Sequence, residues 1–164
     1  MVAGRLIGIA RRPARRAPME ELSIGSISIE GGLDGDHKGV KFPRRRITVL
    51  SREAWDLALA DLTDLAGRVP LPWTYRRANL FVEGVRLPRA LGGVVQIGDV
   101  VLEVTYPTQP CSRMDEAHPG LLKALHPDWR GGITCAVQRS GVVRIGDPVK
   151  VLVSPPEKKI RLPG

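Results

Sequence analysis

The residue types around Cys111 are those that activate a thiol. A β-rich run over residues 100–105 precedes it, Pro110 and Ser112 flank it, and Arg113 follows. Because prolines restrict the backbone, we expect a stiff loop at a strand end. The thiolate is the reactive form of cysteine, and nearby positive charge favours it. Arg113 supplies such charge and is suited to bidentate binding of a phosphate or carboxylate. The alternative is a buried structural cysteine, since free cysteines are among the most buried residues.

Two adjacent guanidinium groups form a second candidate site. Arg76 and Arg77, followed by Asn79, lead directly into a predicted strand, where side chains are held better than on a free loop. Together with Arg113 and the arginine triplet at 44–46, they are candidates to line a pocket for a phosphorylated, hydrogen-bonding ligand.

The glycine-rich segment 31–39 is a third candidate. Asp34 and Asp36 suggest a calcium loop, but Lys38 and Arg45 occupy positions where oxygen ligands belong. The segment also lacks the strand and helix setting of a phosphate-binding loop. We predict a tight turn in which the Asp side chains bond backbone amides. Alternatively, its backbone N–H groups face an anion.

The remaining metal-binding and nucleophilic residue types give weaker signals. The three histidines and two cysteines do not have zinc-ligand spacing. Cys135 lies inside an apolar run over residues 133–137, which predicts a small core residue. The sequence contains no G-x-S-x-G motif, so a serine hydrolase is not supported.

The elements that must position these residues are mainly short strands. Strands are predicted over residues 4–10, 22–29, 46–50, 79–85, 133–138 and 149–153. Gly98-Asp99 and Gly146-Asp147 each interrupt apolar residues as in a hairpin, and we interpret them as two similar corners of one sheet. Because the strands do not alternate with helices, a mostly antiparallel β-barrel is favoured over a doubly wound sheet.

Two helices are predicted to interrupt the strands. One begins after Ser51 as N-cap, shows apolar residues at helical spacing as far as Leu65 and Ala66, and ends at Gly67. The other covers residues 119–125, with a proline at an allowed early position. The prediction is a mainly β fold with two to three short helical insertions.

Composition and charge limit the possible classes of function. A length of 164 residues predicts a single domain over 1–164, with its core at about 4–153 and a flexible tail at 154–164. We find no long apolar run and no secretory signal, so we expect a cytoplasmic protein without a membrane partner. The net charge of +8 predicts an anionic ligand or partner. A basic β-barrel that binds nucleic acid is the alternative, although aromatic residues make up only 4% of the chain.

Taken in order, several segments resemble the MOSC domain, which also forms the C-terminus of molybdenum cofactor sulfurases. The segments are Gly32 to His37, Ile47 to Leu50 with Trp55 in the following helix, Asn79 to Val85, Ile97 to Asp99 with Leu102 to Thr105, and Pro110 to Arg113. The resemblance spans nearly the whole chain and implies a closed or partly closed β-barrel.

The resemblance also implies a chemistry for Cys111. It aligns with the principal cysteine of the family, which is proposed to carry sulfur as a persulfide or to ligate molybdenum in a pterin-type molybdenum cofactor. Some members are oxidoreductases that reduce N-hydroxylated compounds. The cofactor-binding candidates are then Arg76, Arg77, Asn79, Arg113, Asp36 and His37. The expected partners are a phosphorylated pterin or another small anion, and a sulfur donor such as a cysteine desulfurase. Pyridoxal phosphate is not expected in this chain.

Overall fold

The computed structural model of the protein describes residues 4–62, 71–108 and 111–157. Within these residues, the strands are β1 Gly4–Arg11, β2 Glu20–Leu22, β3 Ile24–Ser28, β4 Gly32–Leu33, β5 Ile47–Ser51, β6 Leu80–Glu83, β7 Val94–Ile97, β8 Val100–Pro107, β9 Ile133–Arg139, β10 Gly141–Arg144 and β11 Pro148–Val153. The α-helices are α1 Arg52–Ala60, α2 Arg113–Ala117 and α3 Leu121–Leu125, and 3-10 turns cover Pro43–Arg45, Trp73–Arg76 and Pro127–Trp129. None of the helices in the described ranges is long and apolar enough to cross a membrane.

Seven strands close into a barrel in the order β11-β7-β8-β9-β5-β6-β1, and β1 pairs back onto β11. Neighbouring strands are antiparallel except for β5 and β6, which are parallel. The predicted mostly antiparallel β-barrel with short helices is therefore confirmed. A smaller sheet, β10-β3-β4, lies outside the ring.

Alternate side chains of β5 and β6 supply two separate cores. Val49 and Val82 point into the barrel interior, whereas their neighbours Leu50 and Phe81 pack outside it beneath the helices. Successive strand residues face opposite sides, so a strand that is covered on both faces is apolar throughout. This explains why adjacent residues on these strands, such as Val49 with Leu50 and Phe81 with Val82, are both apolar.

The helix predictions are partly confirmed. The hydroxyl of Ser51 accepts a hydrogen bond from the Ala54 N–H at 3.1 Å, as expected of an N-cap. Helix α1 ends at Ala60, and the predicted continuation through Leu65, Ala66 and Gly67 lies outside the described residues. The helix predicted over 119–125 corresponds to α3, which begins two residues later, at Leu121, after Gly120 with a φ of +88°. Helix α2 is an additional short helix.

Two strand predictions were wrong. Gly98-Asp99 joins the paired strands β7 and β8, but Gly146-Asp147 joins strands that do not pair with each other. Strand β10 pairs with β3 in the small sheet, whereas β11 pairs with β7 and β1 in the barrel. The predicted strand over 22–29 is also divided, because β2 pairs with β1 and β3 belongs to the small sheet. The same local turn signal fits both a hairpin and a crossing between sheets.

Asn79 joins three strands at one end of the barrel. Its backbone N–H donates to the Thr48 carbonyl, and its own carbonyl accepts from the Ala10 N–H. Its side chain bonds the same two residues with the roles exchanged: Oδ1 accepts from the Thr48 N–H at 2.9 Å, and Nδ2 donates to the Ala10 carbonyl at 3.3 Å. One carboxamide therefore links β1 to β5 where β6 begins.

We expect Asn79→Ala to lower the free energy of unfolding by about 2–3 kcal/mol, because polar backbone groups of Thr48 and Ala10 lose their side-chain partners. Gln138→Ala removes an exposed carboxamide from β9 and serves as the matched control, with an expected change within about 0.5 kcal/mol. Equilibrium denaturation in urea measures both changes. Equal stabilities of the two variants would contradict the proposed linking role.

Candidate active site

A cavity of about 320 Å³ opens at the end of the barrel where β5 and β6 begin. Its walls come from the end of β8, the start of β9, the segment after β1, the loop before β5 and the turn before β6. The polar and charged side chains that line it are Arg12, Asp36, Lys38, Arg45, Thr48, Arg76, Arg77, Asn79, Tyr106, Thr108, Cys111 and Thr134. Among these described residues, five side chains are cationic and one is anionic. The site therefore favours an anionic ligand.

Cys111 is exposed and lies on the wall of this cavity. Its carbonyl accepts a hydrogen bond from the Met114 N–H at 2.8 Å, and Met114 is buried in the core beneath the helices. Packing of Met114 thus anchors the turn that carries the thiol. Cys135, in contrast, is fully buried inside the barrel, as predicted, and burial raises the pKa of its thiol well above the ordinary range. The two cysteines are therefore chemically distinct.

Arg76 is only 6% exposed although it carries a charge. Its Nε donates to the Gly131 carbonyl at 2.9 Å, but its buried Nη2 has no hydrogen-bond partner among the described residues. Burial lowers the pKa of Arg76 to about 10, and the charge of Cys111 opposes that shift. A buried donor without a partner is rare in folded proteins, and an anion in the cavity would satisfy it.

Arg77 follows in a left-handed conformation with a φ of +64°. In an extended strand, consecutive side chains point to opposite faces, whereas this turn brings Arg76 and Arg77 to the same cavity. A left-handed conformation is unfavourable for a residue with a Cβ. Partial burial, followed by the charges of Arg12 and Arg113, lowers the pKa of Arg77, while Cys111 and Glu116 raise it.

The loop before β5 contributes one carboxylate, Asp36, and two cations, Lys38 and Arg45, to the cavity. The Asp36 carboxylate accepts from the backbone N–H groups of Arg12, at 3.0 Å, and Gly39, at 3.1 Å, which confirms the predicted Asp-to-amide turn for this residue. Lys38 is exposed overall, and its side chain lines the cavity. Partial desolvation there is the main cause that lowers the pKa of its ammonium group. The charges of Arg45, Arg76 and Arg12 lower that pKa further, and Cys111 raises it.

Not every predicted site residue lines the cavity. His37 is not among the lining residues, and its ring lies 3.4 Å from the Lys41 ammonium. Arg113 begins α2 and acts electrostatically on Arg77 without lining the cavity. Asn79 does line it, with its carboxamide bonded to the backbone of β1 and β5 as described above.

The arginine triplet at 44–46 has divided roles. Arg45 lines the cavity, whereas Arg46 is buried and donates to the carbonyls of Ile29, Gly39 and Val40. Arg46 therefore fixes the shape of the loop that carries Lys38 and Arg45.

Sequence reasoning missed several lining residues, notably Arg12, Lys38 and the threonines. Arg12 belongs to a basic pair that the sequence places in a connecting segment, and Lys38 was considered only as a misfit in a calcium loop. Both reach the cavity because the segment after β1 pairs with the loop before β5: the His37 N–H donates to the Arg12 carbonyl at 2.8 Å. The positive charge of Arg12 and Lys38 is visible in the sequence, but their proximity in the fold is not.

Comparison with known families is consistent with this geometry. A MOSC domain model matches residues 34–150, well over half of the chain. The chain belongs to the MOSC domain family. The resemblance noted from the sequence is thereby confirmed, and Cys111 lies within the matched range, as do all the cavity cations except Arg12. No curated protein sequence matches the chain.

Solved structures share the architecture of this MOSC domain. The YuaD protein from Bacillus subtilis is 19% identical with a TM-score of 0.73, and the match covers 92% of this chain and 96% of that protein. YiiM from Escherichia coli is 16% identical with a TM-score of 0.66, covering 91% and 70%. YiiM from Geobacillus stearothermophilus is 19% identical with a TM-score of 0.61, covering 93% and 75%. At these identities the similarity establishes the fold.

The different settings of the two cysteines predict selective labelling. In the native MOSC domain, a neutral alkylating reagent should modify Cys111 and leave Cys135 unreacted, and both should react after unfolding. Intact-mass measurement counts the adducts. Cys111→Ser should abolish native labelling, and Cys135→Ala should preserve it. Native labelling of Cys135, or none at Cys111, would contradict the assignment.

Proposed function

We propose that this MOSC domain handles sulfur through Cys111, whose thiolate accepts a sulfane sulfur and carries it as a persulfide. The observation that supports this function best is an exposed thiol on the wall of a cation-rich cavity. The one carboxylate among the described lining residues, Asp36, already accepts two backbone N–H groups. Positive charge therefore predominates around the sulfur and stabilises an anionic ligand or a persulfide anion.

The roles of the residues follow from their placement. Cys111 is the nucleophile, and its exposure leaves the terminal sulfur of a persulfide accessible to an acceptor. Arg76, Arg77 and Lys38 lie within electrostatic range of the thiolate, since the charge of Cys111 raises the pKa of each. They attract an anionic sulfur donor to the thiol. The sulfur comes from a separate donor, such as a cysteine desulfurase, or from a small molecule.

The same residues fit a pterin-type molybdenum cofactor, the second candidate ligand. The volume of about 320 Å³ exceeds what a single sulfur atom requires and falls in the range of small-molecule sites. Cys111 would supply a soft thiolate ligand, and the unpartnered Nη2 of Arg76 would hold a phosphate oxygen. When bound, the cofactor would supply two-electron chemistry, as in family members that reduce N-hydroxylated compounds.

A nucleic-acid-binding module fits the cavity less well. The cations Arg12, Lys38, Arg45, Arg76 and Arg77 converge inside a concavity, whereas a duplex requires them along an open face. Aromatic residues, which stack on single-stranded bases, make up only 4% of the chain. A small anion is the better match to the shape and charge of the site.

The state of the protein purified from a molybdenum-replete host separates the two candidates. We expect an intact-mass increase of about 32 Da on Cys111, reversible by a reductant and absent in Cys111→Ser, because a persulfide adds one sulfur atom. Stoichiometric molybdenum by metal analysis, with the corresponding absorbance, would instead favour the cofactor. Cys135→Ala is the matched control and should behave as the wild type. If neither sulfur nor molybdenum is retained in a Cys111-dependent manner, both candidates are contradicted.

A further inference from the structure

Two arginine side chains in the cavity each have a buried guanidinium nitrogen with no hydrogen-bond partner among the described residues. They are Nη2 of Arg76 and Nη1 of Arg12, and both side chains line the same cavity as the Cys111 thiol. Arg76 is more than nine-tenths buried, so water does not readily replace the missing partner. Because both nitrogens are donors without an acceptor, we expect the ligand to be a hydrogen-bond acceptor.

The chemistry of the surrounding residues defines that acceptor further. Guanidinium groups match oxyanions that present several equivalent oxygens. The cations Lys38, Arg45 and Arg77 add to the charge of this pair, while both oxygens of Asp36 are occupied by backbone N–H groups. The site is therefore suited to an oxyanion that carries more than one negative charge.

We propose that the sulfur donor of this MOSC domain is thiosulfate, bound with its sulfonate oxygens on Arg76 and Arg12 and its sulfane sulfur toward Cys111. This inference rests on the proposed sulfur-carrier function and specifies its donor. Thiosulfate combines the required features, since it is a dianion, it has equivalent oxygens, and its outer sulfur is open to attack by a thiolate.

The transfer balances without an added oxidant or reductant. The Cys111 thiolate attacks the sulfane sulfur, an S–S bond forms between them, and the S–S bond of thiosulfate breaks. Sulfite leaves with the electron pair of the broken bond, and the former sulfane sulfur becomes the terminal anionic sulfur of the persulfide. The total charge is unchanged. The cavity is larger than thiosulfate requires, so an accepting thiol can approach the exposed persulfide afterwards.

The test is to incubate the reduced 164-residue chain with thiosulfate. The expected result is an increase of about 32 Da on Cys111 together with one equivalent of sulfite released for each persulfide formed. Sulfate, which has similar oxygens but no sulfane sulfur, should slow the reaction by competition. Cysteine persulfide, which lacks a sulfonate group, is the second donor and reports whether Cys111 accepts sulfur at all.

Variants separate recruitment of the anion from reactivity of the thiol. Arg76→Gln should slow loading from thiosulfate by about tenfold or more, since a charge-assisted hydrogen bond is lost. Arg12→Gln should act in the same direction and replaces the first variant if that one fails to fold. Alkylation of Cys111 by neutral iodoacetamide should change by less than about twofold in both, because no anion has to be bound. Arg144→Gln, which removes an exposed arginine outside the cavity, is the matched control and should load at the wild-type rate.

Each outcome separates this inference from the function on which it rests. Loading by cysteine persulfide but not by thiosulfate overturns the donor assignment and leaves the carrier function standing. Failure of both donors overturns both. If Arg76→Gln and Arg12→Gln load from thiosulfate as fast as Arg144→Gln, the sulfonate site is refuted. It is also refuted if their alkylation by iodoacetamide slows as much as their loading from thiosulfate.

Discussion

The parallel pairing of β5 with β6 is the constraint on which the site depends. Antiparallel neighbours can be joined by a tight turn, but two parallel strands must begin at the same end of the sheet, so the chain has to return across the barrel between them. That return passes through α1 and delivers the 3-10 turn Trp73–Arg76 to the end where β5 starts. Arg76 and Arg77 therefore reach the cavity because of the strand topology, and Asn79 fastens the returning chain to β1 and β5.

The charged residues of the cavity reduce the stability of the fold around them. Arg76 is buried with one nitrogen unsatisfied, and Arg77 adopts an unfavourable backbone conformation beside the like charges of Arg12 and Arg113. Such features lower the stability of an empty protein and are retained where a ligand compensates them. The rest of the fold tolerates this cost because two separate cores, one inside the barrel and one beneath the helices, are packed from apolar residues.

Local patterns in the sequence were sufficient for the barrel class, the Ser51 cap, the Gly98-Asp99 hairpin and the burial of Cys135. Each of these depends on residues that are close together in the chain. The pairing of β10 with β3, and the meeting of Arg12 with the loop at Asp36, depend on contacts between distant segments. A Gly-Asp turn gives the same signal whichever strand follows it, and Arg113 carries the same charge whether it faces a cavity or lies beside one. The family resemblance identified the domain, whereas only the structure shows which side chains share the cavity.

The anchoring of Cys111 has a consequence for how the proposed site comes apart. The sulfur is held through Met114 in the helical layer, while Arg12 follows barrel strand β1 and is held by Asp36. The thiol and this cation thus belong to different packing units. Loosening of the outer layer by mild heat or a hydrophobic additive would part them while the strands remain closed, so the proposed activity would be lost before the barrel unfolds.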